Sequence, residues 1–363
     1  MTTYSLFSHP LLDVSACLEG GRIKTKARGP ISFLPKVKSS LEMVDGQIPV
    51  LAGEELCLST WLPPIPSPAF SRFVKSQLMA TLGIRTPDQV TISITEECPN
   101  RCQHCALPDS GRRMKLTVPQ VTGLIDQALD LGTTLVIFDG GEPAMYKELS
   151  RLVSAVDSRA CATLFTSGAG FSSSLARELK GAGLYAVNVS LDSPRPCEHD
   201  AMRGRAGAYD DAMAAVESGL RAGLLVDLYV VLRRENMSLL HELHELCRKV
   251  GAHELTLFEV VPTGRWAGRE GVTLTRADHA TLRRFVEGAP QPRIFSVPEA
   301  MDRMGCFAGR SWLHITPAGE VYPCACLPRS EGNALDEPLK DIWRRMGRLP
   351  YGGKMACPMR GPI

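Results

Sequence analysis

No stretch of this sequence stays apolar for long. The longest, from Gly223 to Leu232, is broken by Asp227 and falls well short of the about 20 residues that a membrane-spanning helix needs. Net charge is equally scarce. Lys and Arg number 41 against 39 Asp and Glu, a formal +2, which removes any general electrostatic argument for a nucleic-acid or membrane-surface partner. The opening residues, Met1-Thr2-Thr3-Tyr4-Ser5, lack the cationic segment of a secretory signal, so a cytoplasmic protein is expected. Cysteine, by contrast, is plentiful. Twelve thiols in 363 residues would suit a disulfide framework only in a small secreted protein, so metal binding or catalysis is the better reading. The length allows a sizeable core, and one large α/β domain with smaller appendages is expected.

Three of the thiols share one loop, Cys98-Pro99-Asn100-Arg101-Cys102-Gln103-His104-Cys105. It follows Val90-Thr91-Ile92-Ser93-Ile94-Thr95, a β-branched apolar run that reads as a buried strand. A fourth local thiol is missing, because the next cysteine is Cys161. Ferredoxins fill every corner of an iron–sulfur cluster with a four-cysteine run; here one loop would reach three corners of a cubane and leave the fourth iron open. A zinc site or three structural thiols is the alternative, although zinc sites usually take cysteines in pairs.

Elsewhere the chain is organised by periodicity. Residues 1–68 show short alternating segments around 21–27 and 54–58, then a stiff Pro63-Pro64-Ile65-Pro66-Ser67-Pro68 linker; a β-rich cap and a region that binds substrate or a leader peptide both remain open. Phe70, Phe73, Val74, Gln77, Leu78 and Leu82 recur at helical spacing, which predicts a helix over 69–82. Cys17 and Cys57 read as buried small hydrophobes. From 88 to 288, strands near 90–95, 134–139, 161–166, 185–191, 225–232 and 254–261 alternate with helices near 118–131, 147–157, 173–182, 208–222, 238–250 and 276–287, the pattern of parallel βαβ units. His241 and His244, three apart on one of these helices, read as a solvated face.

The Cys98-x3-Cys102-x2-Cys105 spacing at the end of a first strand resembles the radical S-adenosylmethionine (SAM) superfamily. That resemblance implies an α/β fold, a partial (β/α)6 TIM-type barrel, with its site at the C-terminal ends of the strands. Phe138-Asp139-Gly140-Gly141-Glu142-Pro143 is similar to the family's Gly-Gly-Glu-Pro motif. By that likeness Gly140, Gly141, Glu142 and Pro143 contact SAM: the glycines admit close backbone approach and Glu142 accepts from the methionyl amine. Phe165-Thr166-Ser167-Gly168 is similar to the family's Thr-Asn-Gly, with Ser in place of Asn. In Val189-Ser190-Leu191-Asp192 and His199-Asp200-Ala201-Met202-Arg203-Gly204, the resemblance gives Ser190 and Asp192 the ribose hydroxyls or the substrate, and Arg203 the SAM carboxylate. Tyr229 to Leu232 and Val260-Val261-Pro262 would supply apolar contacts to adenine, with plain barrel core as the alternative.

A second constellation, Cys306-x12-Gly319-x4-Cys324 with Cys326 and Cys357, resembles the SPASM/Twitch extension that holds auxiliary [4Fe–4S] clusters. Four thiols suffice for one cluster, which implies a Twitch-like, single-cluster form; a zinc knuckle is the alternative. Cys161, Cys197 and Cys247 are left as ordinary thiols. The expected organisation is an N-terminal extension and linker helix over 1–87, a barrel over 88–288 and an auxiliary-cluster region over 289–363. As a family member the chain would reduce SAM at the open iron and use the resulting 5′-deoxyadenosyl radical to abstract a substrate hydrogen. Its electrons would come from a reductant such as ferredoxin or flavodoxin. The substrate would be a ribosomally made peptide or, alternatively, a small carbohydrate-like or tetrapyrrole metabolite; a non-enzymatic iron–sulfur carrier has no use for the Gly-Gly-Glu-Pro loop.

Overall fold

A computed structural model describes residues 3–107, 113–347 and 357–360. The extreme ends of the chain and residues 348–356 of the expected auxiliary region lie outside them. The N-terminal extension opens with a meander of three antiparallel strands, β1 (Thr3–His9), β2 (Leu12–Glu19) and β3 (Arg22–Arg28). Alternation of buried Leu12, Val14, Ala16 and Ile23 with polar neighbours turns one face of this sheet inward. Helix α1 (Pro35–Val44), the hairpin of β4 (Val50–Ala52) and β5 (Glu55–Cys57), and helix α2 (Pro68–Ala80) complete a small core of Leu6, Leu56, Ile65 and Phe70. Helix α2 starts where Ser67 Oγ accepts from the Phe70 N–H at 3.0 Å, with Pro68 in the first turn, where its missing donor costs nothing.

The main body is a nine-stranded sheet in the order β12-β11-β10-β9-β8-β7-β6-β13-β14. Strands β6 (Gln89–Ser93), β7 (Leu135–Asp139), β8 (Cys161–Thr166), β9 (Leu184–Ser190), β10 (Leu225–Leu232), β11 (Glu254–Glu259) and β12 (Arg293–Ser296) run parallel. Helices α3 (Val118–Leu131), α4 (Leu149–Ser154), α5 (Ser173–Gly181), α6 (Pro196–Arg203), α7 (Ala208–Arg221), α8 (Leu240–Val250), α9 (Arg276–Gly288) and α10 (Val297–Met304) connect or follow them. Helix α3 shows why these segments are helical. Thr117 and Gln120 form a reciprocal capping box, Val121, Leu124, Ile125, Ala128 and Leu129 make one buried stripe, and Gly132 ends the helix at φ 107°. Strands and inner helix faces share one apolar core. This is the α/β partial barrel expected.

Three features depart from the sequence reading. Strand β12 continues the parallel sheet past residue 288; at four residues after Pro292 it is too short to read as a strand. Strand β13 (Trp312–Ile315) pairs in parallel with β6, and β14 (Val321–Tyr322) folds back on β13, so the C-terminal region extends the barrel sheet before helix α11 (Leu339–Met346). His244 is buried rather than solvated: its Nε2 lies 2.9 Å from the Pro292 carbonyl and its ring meets Phe285 edge-on. No helix among the described residues is long and apolar enough to cross a membrane.

The N-terminal ends of the strands are stoppered by the segment after β5. Glu254, which opens β11, is 2% exposed and accepts from Ser59 Oγ, Thr60 N and Thr60 Oγ1 at 2.8 Å each, with Arg293 Nε at 3.3 Å. Trp61 Nε1 donates to Thr256 Oγ1 at 2.9 Å, and its indole packs against Phe165, Tyr229, Phe295 and Trp312 inside the barrel. Burial, together with Glu254 opposite, holds the Asp227 carboxyl well above the carboxylate range. Glu254→Ala removes the acceptor of three buried donors and the partner of Arg293, and should destabilise the protein by about 3–5 kcal/mol, read as a lowered urea midpoint; a change within experimental error would mean that the stopper does not depend on this carboxylate.

Candidate active site

The three-cysteine loop follows β6 and is gripped by its neighbours. Arg101 N donates to Arg203 O at 2.8 Å, Gln103 N to Met202 O at 2.9 Å, and Arg265 N to Cys105 O at 3.0 Å. Gly264, at φ 55°, packs so close that a Cβ there would sit 2.0 Å from the Cys105 carbonyl oxygen. The loop is therefore held by the end of α6 and the segment after β11 as well as by its own strand.

Beneath it lies a buried carboxylate, Asp192, just past β9. Its oxygens face Arg203 Nε at 2.8 Å, His104 Nε2 at 3.4 Å and Arg233 Nη1 at 3.8 Å, all in side chains less than a tenth exposed. Burial alone would raise the acid; the cations outweigh it and hold it at about 2. Because burial pushes His104 down to about 4, this imidazole is neutral at neutral pH, and the charge Asp192 meets is that of Arg203 and Arg233. Arg203 in turn lies 3.8 Å from Cys102 Sγ, and His104 stands within the cysteine motif itself. One carboxylate thus fixes two groups that set the thiol loop.

The Gly-Gly-Glu-Pro loop after β7 is fitted to the same loop. Gly141 N donates to Thr95 O and Glu142 N to Glu97 O, both at 2.7 Å. A Cβ on Gly140 (φ 147°) or Gly141 would lie 2.5 or 2.3 Å from those carbonyl oxygens, so both glycines are required by backbone packing. The side chain of Glu142 is held by several donors. It is fully buried and accepts from Thr166 Oγ1 at 2.7 Å, Ser167 N at 2.8 Å, Ser167 Oγ at 2.5 Å and Ala144 N at 3.1 Å. Three of these four donors, from Thr166 and Ser167, tie the carboxylate to the end of β8, and both residues line the cavity described next. These bonds also explain the Thr166-Ser167 pair.

The cavity that these loops surround has a volume of about 640 Å³. Cys98, Cys102, Cys105, Gly140, Gly141, Ser190 and Arg203 line it, and Glu142, Pro143 and Asp192 do not. Tyr229, Val231, Val260 and Val261 face it, while Val230 and Leu232 belong to the barrel core. Its far wall carries Cys306, Cys324, Cys326 and Cys357. Cys306 and Cys357 share a hydrogen bond within an apolar cluster that includes Cys324, and Cys326 stands close enough to Cys324 and Cys357 to feel both. Burial pushes the Cys98 and Cys324 thiols up to about 12, so binding of a metal must displace their protons. Cys17, Cys57 and Cys247 are buried, Cys161 is half-buried and Cys197 is exposed. Sequence reading missed Trp61, His104 and Arg233; of these only His104, inside the motif, left a local signal.

Comparison with known proteins agrees with this architecture. A family model described as the radical SAM superfamily matches residues 92–247, and one described as an iron–sulfur cluster-binding domain, SPASM, matches residues 306–349. A PqqA peptide cyclase of Streptomyces rochei is 31% identical over 285 residues, 73% of this chain and 78% of the relative. The chain belongs to the radical SAM superfamily. An AdoMet-dependent heme synthase of Nitratidesulfovibrio vulgaris is 26% identical over 297 residues, 72% of this chain and 80% of that protein. Among solved folds, Streptococcus suis SuiB bound to its precursor peptide SuiA superposes with a TM-score of 0.62 over 94% of this chain and 87% of its own, at 14% identity. The protein is accordingly a radical SAM enzyme that uses a [4Fe–4S] cluster and SAM, with auxiliary iron–sulfur binding in its SPASM-type region.

The residues present fit these cofactors. Among the described residues no three His, Cys, Asp or Glu side chains converge tightly enough for one metal ion. Two sets of thiols opening onto one cavity suit clusters, in which each thiolate takes its own iron, better than zinc. Asp192→Asn would leave Arg203 and Arg233 buried beside a neutral amide, lowering stability by about 3–5 kcal/mol and reducing iron retained by the first thiol set in colorimetric assay. The wild-type contribution of this carboxylate is complete above its unfolded pKa of about 4 and is lost as the pH falls through about 2, so the deficit of Asp192→Asn should shrink over that window.

Proposed function

We propose that the protein modifies a ribosomally made peptide, with Cys98, Cys102 and Cys105 holding the SAM-binding cluster and Cys306, Cys324, Cys357 and Cys326 holding one auxiliary cluster. The observation that carries the peptide reading is the 31% identity to a PqqA peptide cyclase, supported by a fold likeness to a peptide-bound enzyme that extends over 94% of the chain, the N-terminal extension included. When bound, the first cluster supplies the electron that splits SAM, and the carbon radical so released takes a hydrogen atom from the substrate.

The protein's own task is to bind, orient and exclude water. Gly140, Gly141, Ser190 and Arg203 are the cavity-lining groups that would receive SAM. Arg203, with its Nε on Asp192, is pre-set to offer its other N–H groups to a carboxylate. Glu142 acts indirectly in this reading, by tying the glycine loop to β8. Trp61, Phe165, Tyr229 and Trp312 form an aromatic floor that would shield a reactive carbon centre. A cavity of about 640 Å³ that must hold clusters and SAM leaves space for a side chain presented by a peptide more readily than for a whole macrocycle.

Heme synthase relatives at 25–27% identity favour a second reading, a tetrapyrrole substrate. The test is to incubate reconstituted enzyme, SAM and dithionite with synthetic copies of short peptides encoded beside its gene, and separately with tetrapyrroles. Stimulated 5′-deoxyadenosine formation with a mass loss in a peptide is the expected result; stimulation by the tetrapyrrole alone would replace it with the second reading.

A further inference from the structure

Cys357 belongs to no helix or strand, and what places it is the residue three positions on. The turn from Cys357 to Arg360 closes through Arg360 N donating to Cys357 O at 3.1 Å, and the N–H groups of Met359 and Arg360 point at the Cys357 sulfur. The Arg360 side chain then runs inward. Its Nε lies 2.5 Å from Glu259 Oε2 and its Nη1 donates to Asp302 Oδ1 at 3.1 Å, with the side chain only 4% exposed. Glu259 ends β11, a barrel strand, and is itself held by Leu274 N at 3.1 Å and faced by His279 at 3.4 Å; Asp302 lies on α10.

We propose that Arg360 is the positioning residue of the auxiliary centre: its two-pronged ion pair fixes the Cys357 turn to β11 and α10 and sets a permanent positive charge beside that sulfur. The fork geometry matters because a guanidinium meets two carboxylates at a set angle, whereas an ammonium is a single point. Second-shell partners of this kind commonly govern metal affinity by about 10- to 100-fold. A cluster ligated by thiolates gains negative charge on reduction, so a fixed cation beside a ligand raises its reduction potential. The inference rests on Cys357 being a cluster ligand, as proposed above.

The experiment compares wild type, Arg360→Gln, Arg360→Lys and Cys357→Ala as reconstituted full-length protein. It follows iron release to a chelator and the redox titration of the EPR signal that SAM does not perturb. Arg360→Gln should release the auxiliary iron about 10- to 100-fold faster and shift that signal to a more negative potential. Arg360→Lys should restore most of the potential and less of the retention. If Arg360→Gln does not fold, Asp302→Asn, which removes one of the two anchors, should still speed release. Wild-type release and potential in Arg360→Gln, or wild-type release in Asp302→Asn, would overturn the proposal. An auxiliary signal untouched by Cys357→Ala would instead remove the ligand assignment beneath it.

Discussion

The site depends on a carboxylate that never meets the cavity. Asp192, wholly buried, sets Arg203 and His104 by direct contact, and through them the Cys102 sulfur and the loop that carries it. Such a group is costly to bury alone and tolerable only when several partners converge on it. Here they come from the cysteine loop, α6 and the segment after β10. Removing either arginine would leave the buried carboxylate short of countercharge, which ties the geometry of the thiols to the packing of the barrel. The neutral state of His104 contributes as well, since a second charge on the loop would compete with Arg203 for the same acid.

The same device recurs at three levels of the barrel. Glu254 closes the floor, Glu142 links two strand ends at the rim, and Glu259 receives Arg360 at the far wall. Each is a buried acid at or just beyond a strand terminus, where backbone donors and loop side chains can reach it. Apolar packing builds the sheet and its helices, and these acids decide how the loops stand on it.

Much of this was legible in the sequence, for particular reasons. The alternation of strands and helices was clear because each segment carries its own period: α3 is bounded as the Val121 to Leu129 stripe and its capping box require. The thiol sets and the Gly-Gly-Glu-Pro loop were legible because their spacing is local. Partners remote in sequence were not. Glu142 is satisfied by Thr166 and Ser167, 24 and 25 positions away, and Glu254 by Ser59 and Thr60, 195 and 194 away. A motif therefore located the glutamate without revealing the donors that hold its side chain. Strand β12 was missed because four residues carry too little periodicity, and Trp61 because nothing near it in sequence marks a residue that will enter a barrel.

The central claim is that Cys98, Cys102 and Cys105 alone support SAM cleavage while the thiols across the cavity hold a separate centre. The direct measurement is 5′-deoxyadenosine formation and iron content in the Cys98→Ala, Cys102→Ala, Cys105→Ala triple variant, reconstituted beside wild type. Cleavage should vanish and iron fall by about four atoms, one cubane's worth, with the remaining iron still in a cubane by Mössbauer spectroscopy. Continued 5′-deoxyadenosine formation by the triple variant, or loss of all iron together, would contradict the account.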